Sequence, residues 1–140
     1  MIIIRIWHQK LLPYLPRQQL LGQHRECCAL RGKGWGKKHA IVDYVFTHLP
    51  AALVAYHYLV MDEMKRRGYS PDEIWRNPDF RGNTLGLQEN WSHKEAVKNY
   101  IASTLISEEP VYPEHDDAYL QECLDNLAAK GILIDFNKKI

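Results

Sequence analysis

At 140 residues the chain suits one domain, able to bury roughly 68–70% of the surface its unfolded form exposes, enough for a core without disulfides or a structural metal. With 46% hydrophobic and 25% charged residues it is ordinary for a globular protein, and its short, broken apolar runs exclude a bilayer-spanning segment. The formal net charge of +1 hides an asymmetry: residues 1–40 hold eight bases and Glu26 as their one acid, net +7, against net −6 for residues 41–140. Such a basic end reads either as a polyanion-binding surface or as half of a dipole that the acidic remainder neutralises.

In chain order, "IIIRIW" is β-like, and Arg5 with no small-residue cleavage site argues against a signal peptide, so a cytoplasmic protein is expected. After the turn-prone "LLPYLP", the pattern Leu20, Leu21, His24, Cys27/Cys28 predicts a helix from about Pro16 to Leu30. "RGKGWGKK" reads as a mobile basic loop around Trp35. A second helix opens at Pro50, buries Leu53, Val54, His57, Val60/Met61 and Met64, and stops at Gly68. "SPDEIWR" is a short helical turn, and residues 77–91 are a Gly- and Asn-rich loop. Ser92 with Glu95 suggests a capping box for a helix to about Ser107, with Val97, Tyr100, Ile101 and Leu105 inward. A last helix carries Tyr119, Leu120, Cys123, Leu124 and Leu127 and closes at Gly131; the tail docks or frays. The fold class is all-α: one compact domain over 1–140, of about four helices with long loops.

Three cysteines without a C-x-x-C make neither a disulfide framework nor a zinc site and read as small buried hydrophobes. The dispersed His8, His24, His48, His57 and His93 lack ligand spacing, so no metal site and no metal-dependent nuclease is expected.

The first helix shows an unusual face. At 100° per residue, Gln18, Gln19, Arg25 and Glu26 ring Gly22. A mid-helix glycine costs about 1 kcal/mol relative to alanine, offset where a backbone or ligand lies flat against the helix. Amides and Arg25 suit base edges and phosphates, and a lone carboxylate among cations suits acid–base or cation-stabilising chemistry. The plainer alternative is that Arg25 and Glu26 form ion pairs and Gly22 admits a neighbouring helix.

"LPRQQLLGQHRECCAL", a basic Gly loop, "KKHAIVDYVF" and a helix ending "MDEMKRRGY" together resemble the pyrimidine-dimer DNA glycosylase (endonuclease V) family, bacterial branch, over roughly residues 5–82. "PEHDDAYLQECLDNLAAKG" is more weakly similar to a later family helix. The resemblance implies a compact all-α domain that removes the 5′ base of a pyrimidine dimer and nicks the strand, without metal or cofactor. Its nucleophile would be the chain's α-amine, forming a Schiff base with C1′ of the sugar, and Glu26 falls on the family's helix glutamate. The implied catalytic residues are Glu26, Arg25 and Met1. Implied DNA contacts are Arg17, Gln18, Gln19, Gly22, Arg31, Lys33, Trp35, Lys37, Lys38 and His39. A further family arginine stands as Ala29 here, with Arg31 expected to substitute; Trp35 either wedges into DNA or caps the core. Extra residues around 83–112 and the ending "FNKKI", in place of an aromatic-rich basic tail, depart from the family pattern. The partner is double-stranded DNA with pyrimidine dimers or abasic sites, bound by a monomer with no membrane involved. The alternative is a non-catalytic nucleic-acid-binding domain of the same fold. By alignment the reactive amine falls near Ile4 or Arg5, so the native chain is expected to start near Ile4.

Overall fold

A computed structural model describes residues 6–35 and 43–140 of the chain. The architecture is all-α: α1 (Arg17–Arg31), α2 (Pro50–Arg66), α3 (Lys94–Ser107) and α4 (Asp117–Ala129), with 3-10 turns at Gln9–Tyr14, Asp43–Thr47 and Glu73–Arg76. Among the described residues the sole β pairing is an isolated bridge between Phe80 and Leu87. The β-like start does not become a strand there: Ile6 and Trp7 are buried in extended chain, and residues 2–5 lie outside the described part.

α2 is the centre, packing on α1, on α3 and on the turn at 9–14. Its first residue is Pro50, whose missing N–H would have no helical partner at that position. Ala51 to His57 are all buried, so this helix is enclosed well beyond the expected stripe. Burying Leu53, Val54, Val60 and Met61 contributes about 1.5–3 kcal/mol each relative to exposure. It ends in a Schellman motif: Gly68 takes φ +88°, its N–H donates to Lys65 O, and Tyr69 N–H donates to Met64 O.

α1 starts one residue after the expected Pro16, which sits at the cap position. Its far end is capped from outside the helix. Arg81 donates to the carbonyls of Arg31 and Gly32 and lies 4.5 Å from the Trp91 ring centre. The chain then folds back tightly: Gly34 N–H donates to Ala29 O, and a Cβ at Gly34 would come within 2.8 Å of that oxygen. The described part of the glycine loop, residues 32–35, is therefore a packed turn, against the expected mobility.

Two further expectations fail. Ser92 does not cap α3; its N–H and hydroxyl both donate to Asp79, 13 residues away, while His93 occupies the cap with φ +58°. Glu95 pairs with Lys98 instead. On α3, Val97 is buried but Leu105 is 74% exposed, because the helix outruns the core before its apolar period ends. α4 buries Cys123 and Leu127, and the tail docks: Ile140 N–H donates to Pro13 O and Phe136 packs edge-on against Tyr14. Among the described residues no helix is long and apolar enough to cross a membrane.

Candidate active site

α1 divides into two sides. On one, Gln18 and Arg25 are exposed and Gln19, Gly22 and Glu26 are half-buried. Among the described residues nothing packs over Gly22 except the helix's own Arg25: a Cβ there would meet the Arg25 guanidinium at 3.7 Å, an ordinary contact. The glycine is thus not a seat for a neighbouring helix. It leaves a shallow opening roofed by one cation, with the Glu26 carboxylate one turn further along.

The opposite side is closed by Arg31. The sequence places this residue among the DNA contacts; the structure corrects that, because it is 0% exposed and both of its terminal nitrogens donate inside the protein, its Nε being buried as well. Its guanidinium donates to the carbonyls of Trp75, Asn77 and Phe80 at 2.8–2.9 Å and to His57 Nδ1 at 3.0 Å, and it stacks on Trp75. Burial lowers its pKa to about 10, which still leaves it charged at neutral pH. No phosphate can reach it.

Because Arg31 can only donate, His57 Nδ1 must accept, and the His57 proton resides on Nε2. Nε2–H then donates to His24 Nδ1, 2.8 Å away. The result is an ordered chain, Arg31 to His57 to His24. Burial, and then Arg31, push the His57 pKa well below its ordinary value; burial, Arg25 and Arg31 lower that of His24. Cys28 Sγ lies 3.8 Å from both rings. The nitrogen and sulfur ligand atoms of His24, Cys28 and His57 all fall within 4.8 Å of one another, the arrangement in these residues that could hold a metal. In the protonation pattern set by Arg31, however, the His57 atom facing the cluster carries a hydrogen rather than a free lone pair, and burial raises the Cys28 thiol to about 12. The sequence led to the expectation of no ligand cluster, and these three residues form one. Sequence spacing missed it because His57 lies 33 residues from His24.

Of the other expected contacts, Arg17 and Lys33 are exposed, and Arg17 lies over the Tyr69 ring at 5.5 Å. Trp35 is half-buried and lies edge-on to Phe46 and Trp91 at 5.4 and 5.6 Å. Met1, Lys37, Lys38 and His39 lie outside the described residues.

A family model described as pyrimidine dimer DNA glycosylase matches residues 4–77, just over half of the chain. The chain belongs to the pyrimidine dimer DNA glycosylase family. No curated protein and no solved structure matches it. In this family member the matched stretch carries α1 with both of its sides, α2, and half of the carbonyl cradle around Arg31. Outside it lie α3, α4 and the buried His115, which with Tyr119 was not singled out from the sequence as part of any site.

Proposed function

We propose that this chain is a pyrimidine-dimer DNA glycosylase that also cleaves the strand as an abasic-site lyase, acting as a single-domain monomer on double-stranded DNA. The observation that carries the reading is the polar side of α1, where Arg25 and Glu26 flank a glycine over which, among the described residues, only the Arg25 guanidinium lies, inside the stretch that defines the family. Arg25 would hold a phosphate bidentately while Gln18 and Gln19 hydrogen-bond the backbone beside it. Arg17 and Lys33, with Lys37, Lys38 and His39 of the basic segment, add sequence-independent attraction that offsets the few kcal/mol needed to extrude a nucleotide.

The chemistry needs a neutral amine, and a chain α-amine with an ordinary pKa of about 7.7–8.0 supplies a useful fraction near pH 7. Its lone pair attacks C1′ of the sugar. The glycosidic C1′–N bond breaks, its electron pair leaves with the base, and the base takes up a proton. After the attacking nitrogen loses one proton, its lone pair forms the C1′=N bond of an iminium as the C1′–O4′ bond breaks and O4′ takes up a proton, and the iminium acidifies the C2′ hydrogen. Removal of that hydrogen expels the 3′ phosphate and nicks the strand. Glu26 would move protons at the sugar and stabilise the cationic iminium.

Incubation with thymine-dimer and abasic-site duplexes, followed by borohydride, tests this. The expected result is a covalent protein–DNA adduct and a cut strand. Tight binding without adduct or cleavage identifies a non-catalytic DNA-binding domain of the same fold.

A further inference from the structure

His24 and Cys28 stand four residues apart on α1, so one helical turn stacks them on the same side. α2 brings the buried His57 up to both. His57 Nε2 is 2.8 Å from His24 Nδ1 and 3.8 Å from Cys28 Sγ, and Cys28 Sγ is 4.0 Å from His24 Nδ1. A point equidistant from these three atoms lies about 2.1 Å from each. Zinc bonds run about 2.0–2.1 Å to imidazole nitrogen and about 2.3 Å to thiolate sulfur. A cation at that point is thus within bonding distance of all three residues as they already stand. His24 and Cys28 are only half-buried, which gives an ion a way in from solvent.

The donors are of the right kind. Two imidazoles and a thiol suit zinc, whereas magnesium and calcium take oxygen. Arg31 acts on the cluster in two ways. Its charge favours the Cys28 thiolate that ligation requires. Its bond to His57 Nδ1 keeps the His57 hydrogen on Nε2 when no metal is bound. Ligation by Nε2 moves that hydrogen to Nδ1, and Arg31 gives up this one bond while keeping its carbonyls. The Cys28 thiol hydrogen passes to solvent, so each zinc ion bound releases one proton.

We propose that His24, Cys28 and His57 form a binding site for one zinc ion, which ties α1 to α2. His24 and Glu26 are two residues apart on α1 and so point to opposite sides of the helix. The site takes no part in the DNA chemistry proposed above, and the two stand or fall separately.

The full chain, stripped of metal by a chelator, is titrated with Co²⁺ or Zn²⁺ alone. Cobalt should bind with a thiolate-to-metal charge-transfer band in the near ultraviolet, and zinc should displace it. Zinc binding should release about one proton per ion and raise the urea midpoint. With zinc in excess, alkylation of Cys28, located by peptide mapping, should slow by about 10-fold or more. Cys28→Ala should lose the cobalt band and the zinc-dependent shift in midpoint; Cys123→Ala, on α4, should keep both. If Cys28→Ala does not fold, alkylation of the unaltered chain decides. A cobalt band that survives Cys28→Ala, or a Cys28 alkylated equally fast with and without zinc, would overturn the site. None of these readouts involves DNA, so neither result bears on the lyase reading.

Discussion

Arg25 and Arg31 stand six residues apart on α1, and the helix treats them oppositely. Arg25 is exposed and lies along its own helix over Gly22; Arg31 is wholly buried, its guanidinium bonded to four carbonyls and a histidine. Both count equally toward the basic charge of the N-terminal region. Only one can meet a polyanion. A positive charge in the sequence becomes a positive surface only when no set of carbonyls elsewhere in the chain has claimed it.

The sharpest way to break this contrast is to remove each arginine in turn. Arg31→Ala should cost about 3–5 kcal/mol in urea unfolding, since it strands buried carbonyls and empties their cradle. Arg25→Ala should change stability by no more than about 0.5 kcal/mol. Equal losses would erase the distinction between the two sides.

On the open side, Glu26→Gln should leave folding and DNA affinity nearly intact while slowing strand scission by about 10²-fold or more, measured in single turnover. Near-wild-type cleavage would take Glu26 out of the chemistry.

Away from the open side, acid should act through histidines held neutral. Burial lowers the pKa of His24, His57 and His8, and takes that of His115 to about 3. In the unfolded chain these groups protonate near 6.5, so they leave stability unchanged above that pH. Below it the unfolded state binds more protons, and each neutral histidine should cost about 1.4 kcal/mol per pH unit until its own folded pKa is reached. Urea midpoints from pH 7 to 4 should fall accordingly, and His115→Gln should flatten the fall.

Gly22→Ala separates packing from function more finely. The site has room for a methyl group, so the helix should gain up to about 1 kcal/mol in stability, while DNA turnover should drop if a strand lies against that surface. A stabilised variant with full activity would show that nothing approaches Gly22. The smallest effect concerns salt. Arg25→Ala should flatten the slope of log affinity against log salt by about 0.9, one phosphate contact, with no change in sequence preference.

Helices α1 and α2 were readable because their signals are local: apolar period, Pro50 at an opening, Gly68 at a close. The open side of α1 was readable for the same reason, since Gln18, Gly22, Arg25 and Glu26 lie within about two turns. What escaped depends on distant partners. Ser92 looks like a cap until Asp79 takes its hydroxyl, and Arg31 looks like a phosphate ligand until residues 75–80 return across it. His24 and His57 share no pattern in the sequence, and nothing near Ile6 announces Tyr119, whose hydroxyl donates to its carbonyl. Leu105 follows the period of its helix faithfully but lies beyond the surface that could cover it.

The bonds from Tyr119 to Ile6 and from Gln9 to His115 join residues 113 and 106 positions apart. Contacts of such separation form late, because the loop between them must close first. At roughly 5–20 residues per second, a ribosome delivers Tyr119 about 6–23 s after Ile6. During that interval α1 can already form, while Ile6 and Gln9 wait for the partners that hold them. A nascent chain interrupted before α4 would carry α1 and α2 while the carbonyl of Ile6 still lacked its hydroxyl partner.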